Sequence, residues 1–299
     1  MHHVITIVAA PEAVPALPDT ARSFRSTIES VQPIEWLADH ACDIFFEPKN
    51  QDTLKDIREA VHNTLADVPA DAFIQPVAKR RKRMLVADMD STIIGQESLD
   101  EIADAVGIGP QITAITERAM RGEMDFETAL KERIELLKGF PEAKLQSILD
   151  ERITLNPGAE TLLATMLKNN ARAVLVSGGF TLFTQAIAER LGFDAHYGNR
   201  FIMEDGAITG VAEPILGQDA KLATLRQEAA DNGIDLTEVI AVGDGANDLS
   251  MLKAAGVGVA YHAKPIVACE AAARINHGDL TTLLYFQGYR QDEFVTPNK

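Results

Sequence analysis

The stretch that most constrains this chain is a short apolar run closed by acids, Met84-Leu85-Val86-Ala87 followed by Asp88-Met89-Asp90-Ser91-Thr92. A run with no polar alternation reads as a strand buried on both faces, the pattern of a sheet covered by helices. Val174-Leu175-Val176 before Ser177-Gly178-Gly179 is a second such run. Val239-Ile240-Ala241-Val242 before Gly243-Asp244-Gly245-Ala246-Asn247-Asp248 is a third. In an open α/β sheet, ligands bind beyond the carboxyl ends of the strands. Asp88 and Asp90 therefore leave their strand together at the mouth of a site. Paired carboxylates there can hold Mg²⁺, and one of them can attack phosphorus as a nucleophile. An acidic loop after a core strand is the plainer reading of the Asp-x-Asp-x-Thr pattern alone.

Composition narrows the function. The 299 residues suffice for one α/β domain and one small additional domain. The formal net charge of -16 argues against a nucleic acid or an anionic membrane as partner. It also means that an anionic substrate must be met by locally placed cations and a metal. Two cysteines, Cys42 and Cys269, are too few for a disulfide framework and lack zinc-site spacing, so a reducing, cytoplasmic setting is expected. No apolar run approaches a membrane span or a signal segment.

Residues 1–78 read as a small α+β domain. His3 to Ala9 and Asp43 to Phe46 are strand-like, Leu54, Ile57, Ala60, Val61 and Leu65 follow at helical spacing, and Ala72 to Val77 suits a further strand. The pattern is similar to the small-molecule-binding regulatory domains often fused to amino-acid enzymes (ACT-like). A docking or dimerisation role, with a homodimer as the assembly, is the alternative. Residues 79–83, Lys-Arg-Arg-Lys-Arg, are expected to be a solvated basic linker.

The main domain is expected over residues 84–288, with helices alone from about 96 to 153. Leu99, Ile102, Ala103 and Val106 form one apolar stripe there, and Phe126, Leu130, Ile134 and Leu137 another. Arg133 shares the second stripe, either snorkelling at its edge or aimed at an anion. Glu97 precedes the first helix, where an acid also suits the helix dipole. Asn156-Pro157 is expected to start a helix by capping, and Asp205-Gly206 to turn a hairpin. Lys221 opens a helix, where a cation is electrostatically disfavoured. Residues 289–299 are expected to be a polar tail.

In this order, the strand-end segments and Lys221 resemble the four motifs of the haloacid dehalogenase superfamily, and within it the phosphoserine phosphatases, over about Leu85 to Leu284. The resemblance implies a Rossmann-like core with a parallel sheet, a helical cap inserted after its first strand, and Mg²⁺ as cofactor. It implies a small-molecule substrate, O-phosphoserine, hydrolysed through an aspartyl-phosphate. Asp88 then attacks, and Asp90 is the acid and base. Asp88, the Asp90 carbonyl and Asp244 hold the metal, with Asp248 a weaker ligand or a supporting acid. Ser177, Gly178 and Lys221 meet the phosphate. Glu97 matches the reader of the ammonium and Arg133 of the carboxylate, while Met120 and Phe126 match apolar cap positions and Asn247 a substrate-contacting amide. A phosphotransferase passing the same phosphoryl group to another hydroxyl, such as homoserine's, is the alternative enzyme. An amino-acid sensor that kept the fold is the non-enzymatic one.

Overall fold

The structure is a computed structural model, which describes residues 2–28, 30, 32–120 and 123–296, Met120 by its backbone only. The N-terminal part runs β1 (His3–Ala9), α1 (Leu17–Thr27), β2 (Glu35–Ala38), β3 (Ala41–Phe46), α2 (Gln51–Thr64) and β4 (Ala70–Pro76). Its antiparallel sheet has the order β2-β3-β1-β4, the βαββαβ arrangement of ferredoxin-like motifs. On α2 the Asn50 side chain caps the first turn by accepting from the Thr53 N–H at 2.8 Å. Leu54, Ile57 and Val61 of α2 are buried with Leu17, Ala21 and Phe24 of α1. The opposite face, through Val8, Leu37 and Phe73, shares a core with the rest of the chain.

The second sheet is parallel and six-stranded. Its strands are β5 (Met84–Ala87), β6 (Arg172–Phe180), β7 (Ala195–Asn199), β10 (Val239–Gly243), β11 (Val257–Tyr261) and β12 (Ala273–Ile275). Their order is β12-β11-β10-β5-β6-β7. A separate hairpin joins β8 (Phe201–Glu204) to β9 (Ala207–Val211). Asp205 and Gly206 both take positive φ there, as expected of a tight hairpin turn. The first strand, β5, lies between β6 and β10, so successive connections leave it in opposite directions. That is a topological switch point, where an α/β crevice opens.

Four helices follow β5 and form the cap: α3 (Ser98–Ala105), α4 (Gly109–Met120), α5 (Phe126–Leu136) and α6 (Glu142–Arg152). Outside the sheet lie α7 (Ala159–Lys168), α8 (Thr181–Leu191), α9 (Gln218–Asp231), α10 (Leu249–Ala254), α11 (Pro265–Glu270) and α12 (Thr282–Phe286). The two apolar stripes of the cap are buried except at their ends. Val106 is 40% exposed because α3 stops one residue before it. Asn156 does not cap α7, which starts after Gly158. Its amide instead donates to the Thr92 and Ile94 carbonyls, at 2.8 and 3.1 Å, and fixes the loop after β5.

Two expectations are corrected at the seam between the sheets. The basic run is not a solvated linker, since Arg80 and Lys82 are buried. Arg80 grips Asp43 of β3 through both carboxylate oxygens, at 2.6 and 2.7 Å, and bonds the Phe286 carbonyl at 2.9 Å and the Tyr285 carbonyl at 3.0 Å. Nor are residues after 288 all a polar tail. Tyr289 is buried beneath the Arg81 guanidinium, and the Val295 N–H bonds Thr165.

Removing one partner of a buried ion pair leaves the other charge uncompensated, at a cost of about 3–5 kcal/mol. Arg80→Met is expected to lose that much in urea unfolding. Arg80→Met combined with Asp43→Leu is expected to lose far less, because no orphan charge remains.

Candidate active site

The carboxyl ends of β5 and β10 bring their acids together. Asp88 follows β5, and Asp244 and Asp248 follow β10. Ligand oxygens of these three carboxylates lie within 4.8 Å of one another. Lys221, one turn into α9, is 1% exposed and reaches between two of them. Its Nζ donates to Asp88 at 2.7 Å and to Asp248 at 2.6 Å. The second Asp248 oxygen accepts the Gly245 N–H at 3.1 Å, so Asp248 also shapes its own loop. An all-carboxylate donor set without His or Cys suits a hard cation such as Mg²⁺.

Asp90 faces differently. Its carboxylate accepts the Ser98 N–H at 2.7 Å and the Ser177 hydroxyl at 2.8 Å. Two donors thus fix it beside the three-carboxylate cluster, with its side chain outside that cluster. Ser177 is fully buried, and its oxygen also accepts the Gly179 N–H at 2.8 Å. The backbone turns sharply between the two acids' loop and the cap. Ser91 sits at φ 53, in the left-handed region, and its hydroxyl donates to Glu97 at 2.7 Å.

Charge crowding sets the protonation. Burial, and then Asp248, push the Asp88 carboxyl well above its ordinary range, and Lys221 pulls the other way. Burial works against the Lys221 charge, but Asp88 and Asp248 together outweigh it and raise its pKa. Asp244 is pushed up to about 6 by burial and by Asp248. Glu97 is pushed up to about 7 by desolvation and then by Asp90.

The cap supplies the other wall. Arg133, half-buried on α5, donates from Nε to its own helix at Ala129, 3.2 Å away. Desolvation lowers its pKa, opposed by the charges of Asp100 and Glu97. No carboxylate pairs with it within salt-bridge distance among the described residues. The Phe126 ring lies over Gly178 and Gly217; a β-carbon on either would come within 3.2 and 3.4 Å of it. Asn247 folds its amide over Gly245. The Met120 side chain lies outside the described residues.

Sequence reasoning missed Asn199, which is 2% exposed at the end of β7. Its Nδ2 donates to the Gly178 carbonyl at 2.8 Å and to the Leu216 carbonyl at 3.3 Å, and its Oδ1 accepts the Leu216 N–H at 2.7 Å. It ties Ser177–Gly178, in the stretch of β6 where the pairing with β7 shifts register, to the segment that delivers Lys221. No local pattern around Asn199 signals this, because all its partners are distant in sequence.

Comparisons with known proteins agree with this geometry. A family model described as haloacid dehalogenase-like hydrolase matches residues 85–253. A phosphoserine phosphatase from Haemophilus influenzae is 44% identical over 202 residues, 67% of this chain and 64% of its own length. The chain thus matches just under two thirds of that relative. A haloacid dehalogenase family hydrolase from Salmonella enterica serovar Typhi superposes with a TM-score of 0.84 at 31% identity, over 98% of this chain and 99% of that one. A phosphoserine phosphatase solved as a phospho-aspartyl intermediate analogue superposes with a TM-score of 0.64 at 39% identity, over 69% of this chain and 99% of that one.

Two outcomes follow from the geometry. Asn199→Ala leaves part-buried backbone groups of Gly178 and Leu216 without their side-chain partner, so urea unfolding should register a loss of about 1 kcal/mol or more and turnover should fall with it. Asn199→Asp should be worse on both counts, since it sets a carboxylate against two carbonyls. The second concerns pH. Asp244 and Glu97 hold protons in the folded state at pH values where the unfolded chain has released them. Their contribution to stability is therefore present at low pH and lost as pH rises through about 6 to 7. In chelator, Tm is expected to fall between about pH 5 and about pH 8. Added Mg²⁺ should raise it more at the higher pH, where the ligands are deprotonated. Scanning fluorimetry measures both.

Proposed function

Because the chain belongs to the haloacid dehalogenase-like hydrolases, we propose that it hydrolyses O-phosphoserine to serine and phosphate with Mg²⁺ as cofactor. One observation carries the chemistry: a buried lysine bridges two of three converging carboxylates at a sheet switch point. Phosphoryl transfer asks for an in-line nucleophile, neutralised charge and a proton for the leaving oxygen.

Asp88 is the nucleophile. One of its oxygens is anchored by Lys221, and its attack on phosphorus forms an aspartyl-phosphate as the bond to the serine oxygen breaks. Asp90 protonates that departing oxygen. It then takes a proton from water, whose oxygen attacks the same phosphorus and releases phosphate from Asp88. Two hydrogen bonds hold Asp90 in the position this exchange needs. Bound at Asp88, the Asp90 carbonyl and Asp244, with Asp248 beside them, a divalent ion would neutralise the charge gathered around the phosphoryl oxygens. Lys221 adds a point charge to the same end, Gly178 presents an N–H to phosphate oxygens, and the Ser177 hydroxyl reaches them only by turning its one proton away from Asp90.

The cap residues select the substrate in this reading. Arg133 clamps the amino-acid carboxylate and Glu97 takes the ammonium, with Phe126 closing over the glycine floor and Asn247 beside it. Serine as product makes a step in amino-acid biosynthesis the natural setting. Cys42 and Cys269 are both unpaired, which accords with a reducing, cytoplasmic compartment, and no helix is long and apolar enough to cross a membrane among the described residues.

Phosphate release across a panel of phosphorylated amino acids and sugars, with and without Mg²⁺, tests the reading. Arg133→Lys separates recognition from chemistry, because lysine cannot copy a two-point carboxylate clamp. A hydrogen bond to a charged group is worth about 1.5–3 kcal/mol, so kcat/KM for phosphoserine should fall about tenfold to a hundredfold. An aryl phosphate, lacking carboxylate and ammonium, should lose far less. Equal loss on both substrates would move Arg133 to the phosphate or the fold, and sink phosphoserine as the substrate.

A further inference from the structure

Away from the strand ends, a cleft of about 320 Å³ opens where α2 and β4 meet β12. That volume suits a small molecule, since ligand sites run from about 300 Å³ upward. Its cations are notable in a chain with 44 acidic and 28 basic residues. Arg58 and His62 stand one turn apart on α2, and Arg274 faces them from β12. Among the described residues, neither Arg58 nor Arg274 has a carboxylate within salt-bridge distance. The one acid of the lining, Asp71, is 3% exposed and spent on backbone: it accepts the N–H groups of Asn276 and Gly278, each at 2.7 Å, and of His277 at 3.2 Å.

The hydrogen bonding sharpens the chemistry. Arg274 Nη2 lies 3.0 Å from His62 Nδ1. A guanidinium only donates, so Nδ1 is the acceptor and the neutral ring carries its proton on Nε2. Two guanidinium groups and an imidazole N–H thus offer donors at one end of the cleft, and guanidinium matches the oxygens of carboxylates and phosphates in a two-point geometry. Val61, Leu65, Phe73 and Ile74 give the rest of the lining an apolar wall. We propose that this cleft binds a small organic anion, an oxyanion head held by Arg58, Arg274 and His62 with a short apolar body against that wall. The site draws on both sheets, so its ligand would bridge the N-terminal sheet and the edge of the parallel one.

The test uses the full chain with Mg²⁺ and two probes that share one body, isovalerate for a carboxylate head and isobutylphosphonate for a non-hydrolysable phosphate-like head. Methyl NMR signals of Val61, Leu65 and Ile74 report the cleft directly. Saturable shifts of these methyls at millimolar probe are expected, from whichever head fits. Arg58→Gln with Arg274→Gln, both exposed positions, should weaken them about tenfold or more, while Arg133→Lys should leave them unchanged. Silence at these methyls with both probes, or equal affinity in the double variant, would overturn the proposal.

Discussion

Everything at the catalytic end of this molecule depends on Lys221 sitting between Asp88 and Asp248. Asp88, Asp244 and Asp248 are held within 4.8 Å of one another, and such a cluster is unfavourable in a low-dielectric site without opposite charge. The lysine offsets part of that repulsion by taking two of them at once. It does so only because α9 starts at Gln218, which carries the fourth residue of the helix beneath the strand ends. A cation there opposes the helix dipole, and the two carboxylates outweigh that penalty. The remaining negative charge makes room for a divalent ion rather than for a second lysine.

Holding that arrangement requires the loops to be tied to each other as well as to their strands. Asn199 links Gly178 near the end of β6 to the entry of α9, Asn156 links the Asp88–Thr92 loop to the entry of α7, and Asp248 links back to Gly245. Each is a short polar side chain satisfying backbone groups that no sheet or helix ladder reaches. The cap then closes on glycines, because Phe126 occupies the space that side chains at 178 and 217 would fill.

What was legible in the sequence follows from this division. Acids after an apolar run declare themselves locally: β5 and β10 end just before Asp88 and just before Asp244, where the composition changes from buried strand to loop. Helical stripes in the cap were equally plain, except at Val106, where periodicity continues past the end of the helix. β2 gave no signal because only Leu37 of its four residues is buried. Arg80 and Asn199 gave none for the contacts they make, and Asn156 read as a helix cap, since the partners of their side chains stand between 17 and 206 residues away. A basic run next to a domain boundary looks solvated until the fold places Asp43 opposite it. Family membership and the parallel fold were recoverable from motif order, whereas the ties that hold the motifs in place were not.

The seam at Arg80 has a consequence for how the N-terminal sheet relates to catalysis. Its ion pair with Asp43 lies where β3 meets α12, and Val8, Leu37 and Phe73 bury themselves in the same core as β5. The N-terminal segment is therefore packed against α12 and the β12 edge of the parallel sheet rather than hung from a flexible tether. β12 touches β4 on one side and pairs with β11 on the other, and β11 pairs with β10, whose carboxyl end delivers Asp244. A continuous run of packed strands thus joins the far sheet to the carboxylate cluster. Any event that shifts β4 against β12 acts on an element three strands from Asp88, through hydrogen-bonded ladders and close packing that deform little on their own.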